Sequence, residues 1–63
     1  MNKVITHIRF PNEPYYDEVS TFKLEDFRLI HTYQYDVFGV WNDTHVFIMK
    51  ADYDKLLENE GKN

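Results

Sequence analysis

Cysteine is absent from this chain of 63 residues, glycine occurs twice, at Gly39 and Gly61, and serine once, at Ser20. Without cysteine there are no disulfides and no thiolate zinc sites. Three histidines, His7, His31 and His45, remain as soft ligands, and their wide spacing sets no two of them on one helix face. No structural metal or cofactor is expected. One serine and two glycines furnish neither a nucleophile elbow nor a phosphate-cradling loop. The acid pairs Asp17 with Glu18 and Glu25 with Asp26 are sequence neighbours that point in different directions, so they do not form a shared-proton dyad. Asp52 and Asp54 lack the glycine and terminal glutamate of a calcium loop. No enzyme activity is expected.

Positive charge is also scarce. Seven lysines and arginines face eleven carboxylates, a formal charge of -4. Lys3, Arg9, Lys23, Arg28, Lys50, Lys55 and Lys62 stand singly, with no basic stripe. Counterion release needs cations set against phosphates, and this chain would repel a nucleic-acid backbone, so no nucleic-acid partner is expected. Met1 to Phe10 mixes Lys3, His7 and Arg9 with apolar residues and reads as neither a signal peptide nor a membrane span. The cytoplasm is the expected compartment.

What the chain has in quantity is rings. Eleven aromatic residues accompany the eleven acids, and the two populations meet between Glu13 and Ile30. Such a mixture suggests charge arranged around apolar anchors, a surface for something basic. A domain of about 60 residues buries only about 60% of the surface its unfolded chain exposes, so self-association as a homodimer is the expected support.

Along the chain, Lys3 to Phe10 reads as a strand, with Val4, Thr6, Ile8 and Phe10 on one face and Ile5, His7 and Arg9 on the other. Pro11 to Pro14 is turn chemistry leading into a second strand at Tyr15 to Val19. Ser20 and Thr21 offer N-cap oxygens, with Glu25 and Asp26 placed to complement a helix dipole. Arg28 to Trp41 accepts either period. As a strand, Leu29, Tyr33, Tyr35 and Val37 share a face, but polar His31 intrudes and the run is long. As a helix, Leu24, Phe27, Ile30 and Phe38 form one stripe beside Leu29, Tyr33, Val37 and Val40, and Gly39 closes it. The helix is the favoured reading, against the β-branched and aromatic propensities. Asn42 to Thr44 is a turn. His45 to Lys50 is a strand apolar on both faces, therefore central or at an interface, and Ala51 to Glu60 is a short C-terminal helix. The whole is one α+β domain with an antiparallel sheet and one main helix.

The segment YYDEVSTFKLEDFRLI, Tyr15 to Ile30, resembles the central segment of the small uracil-DNA glycosylase inhibitor family of the phi29-like Bacillus phages. The matching positions are Tyr15, Tyr16, Asp17, Leu24, Asp26, Phe27, Leu29 and Ile30. Looser likeness extends over Val4 to Thr6 and over Asn42 to Leu57. The resemblance implies a three-stranded antiparallel sheet with one main helix between strands 2 and 3, a short C-terminal helix, and a dimer. It also implies a function. The partner would be the host's uracil-DNA glycosylase, its DNA-binding groove filled by an acidic DNA mimic and its intercalating leucine held in an apolar pocket. Phe27 takes the family's central position. The acid that follows it in the family is Arg28 here, and the tyrosine four residues beyond it is His31. The expected partner-binding set is Tyr15, Tyr16, Asp17, Glu18, Leu24, Glu25, Asp26, Phe27, Arg28 and His31, with Tyr15, Tyr16 and Phe27 lining a socket. An acidic inhibitor or adaptor of another host nucleic-acid-binding protein, such as a polymerase or defence nuclease, and a structural phage subunit are the alternatives.

Overall fold

A computed structural model describes residues 5–60. The order is β1 (Thr6–Arg9), β2 (Asp17–Val19), a single 3-10 turn at Leu24–Asp26, β3 (Phe27–Thr32), β4 (Asp36–Trp41), β5 (Thr44–Met49) and α1 (Lys50–Glu60). The strands form one antiparallel sheet in the order β2-β1-β5-β4-β3. The α+β class holds, with five strands rather than three, and α1 is the main helix. The start of the expected first strand, Lys3 and Val4, lies outside the described residues.

The helix expected after Ser20 does not form. Only Leu24–Asp26 turns, without a side-chain cap, and Phe27 is already extended at φ -115° and ψ 133°. From Phe27 to Trp41 the chain is a hairpin. Its two-residue connection, Gln34 and Tyr35, is closed by the Tyr33 amide donating to the Asp36 carbonyl at 2.8 Å. This divides a run that is too long for one strand. Between Leu29 and His31 the pairing register shifts, so a bulge at Ile30 changes the alternation. Phe27, Leu29 and Thr32 then stand opposite Trp41, Gly39 and Val37, while Arg28 and His31 stand opposite Val40 and Phe38. The bulge thus puts Leu29 with Thr32 and Arg28 with His31 on common faces, while the residues read as helical stripes are divided, Phe27, Leu29 and Val37 toward the core and Phe38 and Val40 away from it. With that phase slip, His31 falls on the more open face, and β-branched and aromatic propensity prevails.

Gly39 does not close a helix. It is buried between β3 and β5, and a Cβ there would run into the Arg28 carbonyl oxygen and meet Phe27 Cζ at 2.5 Å. The expected turn at Asn42 and Asp43 is present. Their φ values of 49° and 67° give the left-handed two-residue connection that matches strand twist in a hairpin.

One face of the sheet carries the core. Ile8, Val37, Val46 and Ile48 from the strands meet Phe22 from the loop and Leu56 from α1. Phe22 lies 5.5 Å from both Phe27 and Trp41, ring centre to ring centre, and Phe27 lies 6.0 Å from Tyr53. The β5 strand is central, as its apolar faces suggested. Where β5 gives way to α1, the sheet continues through side chains: the His7 amide donates to Asp52 Oδ2 at 2.9 Å, and His7 Nδ1 lies 2.8 Å from the same oxygen. The Lys50 amide donates to the Tyr35 carbonyl at 2.9 Å, fastening the tip of the β3–β4 hairpin to the helix start. No helix among the described residues is long and apolar enough to cross a membrane.

Candidate interaction sites

Of the ten residues expected to bind a partner, four come together. Glu25, Asp26, Phe27 and Arg28 line an open hollow of about 500 Å³ with Val40, Asn42 and Asp43. It is built by two short connections that meet: the 3-10 turn delivers Glu25 and Asp26, and the left-handed turn delivers Asn42 and Asp43. The Asn42 amide donates to the Asp26 carbonyl at 3.3 Å. Three carboxylates, all exposed, thus surround Phe27 and Val40, which are half-buried.

The other six are elsewhere. Leu24 is half-buried against the core cluster. His31 is exposed on β3. Tyr15, Tyr16, Asp17 and Glu18 lie at or next to β2, the sheet edge opposite β3. The expected socket of Tyr15, Tyr16 and Phe27 is therefore not assembled within one chain. Tyr15 is 58% exposed in the loop, Tyr16 leans under Arg9, and Phe27 belongs to the core. The acid-and-ring segment is contiguous in sequence but its halves sit at opposite edges, because β1, β5 and β4 pair between them.

Two groups near β2 have shifted protonation. Burial pushes the Glu13 carboxyl up from its ordinary value of 4.5, and the neighbouring Asp17 adds to this by hydrogen bond and by charge. Its Oε1 is shielded from solvent without a hydrogen-bond partner. Burial also raises Tyr16; its hydroxyl donates to Asp36 Oδ2 at 3.1 Å, while Arg9 acts in the opposite direction.

The second grouping was not foreseen. On the sheet face turned away from the core, Arg9, Phe47, Phe38 and His31 are direct neighbours on β1, β5, β4 and β3. The Arg9 guanidinium carbon lies 4.4 Å from the Phe47 ring centre and 5.9 Å from that of Tyr16. Phe47 and Phe38 are 4.7 Å apart, His45 stacks on Phe38 at 17°, and Tyr33 packs at 4.4 Å from His31 and 6.3 Å from Phe47. Arg28, Val40 and His45 form the adjacent row. Both arginines and all three histidines of the chain stand on this face. Among strand residues only Glu18 and Asp36 oppose them there with negative charge. Two of the cations that look scattered in sequence, Arg9 and Arg28, are thus placed by strand pairing on one face, where Glu18 and Asp36 balance them. The legible trace was the alternation His45, Phe47, Met49; the register with Arg9 and His31 is non-local.

Searches of protein-family models, of curated proteins and of solved structures find no match to this chain.

Proposed function

We propose that this chain is a non-catalytic protein inhibitor that acts as an acidic DNA mimic on a host uracil-DNA glycosylase. The observation that supports it is the hollow in which Glu25, Asp26 and Asp43 surround Phe27 and Val40. A groove that binds DNA presents amides and cations spaced for phosphates, and duplex DNA carries one charge per about 1.7 Å of axis. A rim of exposed carboxylates offers a matching potential and speeds encounter at low salt. Phe27 and Val40 add a small apolar contribution to a hollow lined mainly by polar atoms, so charge would carry most of the recognition. Arg28, where the resembled family carries an acid, makes this rim less negative on the β3 side, so Asp43 takes the larger share of the charge there.

The proposed assembly is a homodimer formed along β3. That strand is a sheet edge with a free row of backbone groups, and it exposes Leu29 to 43% and Ile30 to 51%. Pairing through it places two acid-rimmed hollows in one particle.

The deciding experiment mixes the protein with the glycosylase and a uracil-containing duplex. Base excision should stop, and full excision at excess protein sinks the reading. Reversing charge with Glu25→Lys and Asp26→Lys should relieve inhibition with little change in melting temperature, since both side chains are exposed. Capture of a polymerase or nuclease in place of the glycosylase would transfer the same mechanism to that enzyme.

A further inference from the structure

We propose that two copies of this chain associate through the sheet face opposite the core, about a two-fold axis that runs along the row Arg9, Phe47, Phe38 and His31. Three observations carry this. The outer charges of the face are sorted to either side of that row: Glu18 and Asp36 lie on one side, and Arg28 and His45 flank Val40 on the other. Among its strand residues the face is balanced, Arg9 and Arg28 against Glu18 and Asp36, whereas the whole chain carries -4. Its groups are also open to contact: Arg28, His31 and His45 are exposed, Met49 is 37% exposed, and Phe38 and Phe47 are half-buried.

Copies of an acidic chain repel one another over most of their surface, and least where a face is neutral. A polyanion or a strongly basic partner finds no net charge to recognise there. A second copy finds an opposite for each outer charge. In an isologous interface residue i meets residue j and j meets i, so rotation about the ring row lays the Asp36 side of each copy over the Arg28 side of the other. Arg28 then reaches Asp36 and Tyr33 of the second copy, twice in the pair, and Phe38 and Phe47 meet their own images on the axis. Tyr33 supplies a ring face for the guanidinium, and the Tyr16 hydroxyl, donating at 3.1 Å, holds the Asp36 carboxylate in place. An axis parallel to the strands would instead set Asp36 over His7, which Asp52 already holds at 2.8 Å. The product is two sheets packed face to face, about 10 Å apart.

This contact goes beyond the inhibitor reading and is separate from the edge pairing along β3. The face alone gives two chains; face and edge together give four. It is tested without any glycosylase, so failure of one reading leaves the other standing. One sheet face of so short a chain lies at the low end of interface sizes, below about 1,200 Å² in total, so mass is measured by sedimentation equilibrium up to about 1 mM protein. Arg28→Glu and Asp36→Arg should each halve the mass, although the first makes the chain more negative and the second less so. Mixing the two variants should restore it, because each supplies the charge that the other lacks. Circular dichroism melts check that each variant is folded. Where Asp36→Arg is not, Asp36→Asn, which keeps an oxygen for the Tyr16 hydroxyl, takes its place and should also lower the mass. A parent mass of one chain at the highest concentration overturns the proposal. So does a mass of two or four that Arg28→Glu leaves unchanged, a result that assigns the association to other surfaces such as the β3 edge. A mass that falls with Arg28→Glu and rises with Asp36→Arg would report net charge alone and also overturns it, as does a mixture of folded variants that stays dissociated.

Discussion

The two faces of this sheet are made from the same strands, yet they are stabilised differently. The covered face is apolar and fully buried at Ile8, Val37, Val46 and Ile48, and α1 and the loop around Phe22 shield it. No helix of the described residues packs on the open face. Its rings cover one another, assisted by Arg9 and by the Tyr16 hydroxyl on Asp36. A helix can bury a face completely, whereas a layer of rings and guanidinium leaves edges accessible. The first arrangement suits stability and the second suits recognition.

The contrast can be broken first at Ile48, which is fully buried at the centre of the covered face. Ile48→Ala should cost about 4 kcal/mol in chemical denaturation, through lost transfer energy and the cavity left behind. Gly39→Ala tests the same face from the backbone side. The added Cβ has to displace a β3 carbonyl as well as the Phe27 ring, so a loss of about 3 kcal/mol is expected, with Phe27, Phe22 and Trp41 disturbed together.

On the open face the losses should be smaller. Phe38→Ala is expected to cost about 2 kcal/mol, roughly half the figure for a fully buried ring. An equal loss of stability on both faces would remove the distinction drawn here. Tyr16→Phe deletes one hydrogen bond to Asp36 at the border of this face, and about 1 kcal/mol should be lost.

The smallest effect concerns Glu13, whose carboxyl is raised by burial and by Asp17. A carboxyl raised on folding binds its proton more tightly in the folded state. Its contribution to stability is therefore present at low pH and lost as pH rises through its folded value. Glu13→Gln should melt at a slightly higher temperature than the parent at neutral pH, with the gap closing in acid; a gap that widens in acid would contradict the assigned cause.

Local chemistry made several elements legible. Thr6 to Arg9, the turn at Asn42 and Asp43, the strand after it and the C-terminal helix are each set by short-range propensity and by residues that tolerate left-handed backbone. The stretch from Ser20 to Trp41 accepts a helical period because the β3–β4 hairpin carries apolar residues on both faces, Phe27, Leu29 and Val37 on one and Phe38 and Val40 on the other, which masks the alternation of a strand. The candidate hollow was legible in part: Glu25, Asp26, Phe27 and Arg28 are contiguous, but nothing local places Val40, Asn42 and Asp43 beside them.

The sequence alone determined the inventory: no thiol chemistry, an acidic total, an excess of rings, and turns where the chain must reverse. Only the tertiary structure decided how that inventory is divided. Which face a residue occupies depends on register with a strand many residues away, and one bulge reverses the alternation beyond it. Pairing β1 and β4 to either side of β5 brought Arg9, Phe47, Phe38 and His31 into one row, and the same pairing separated Tyr15 and Tyr16 from Phe27.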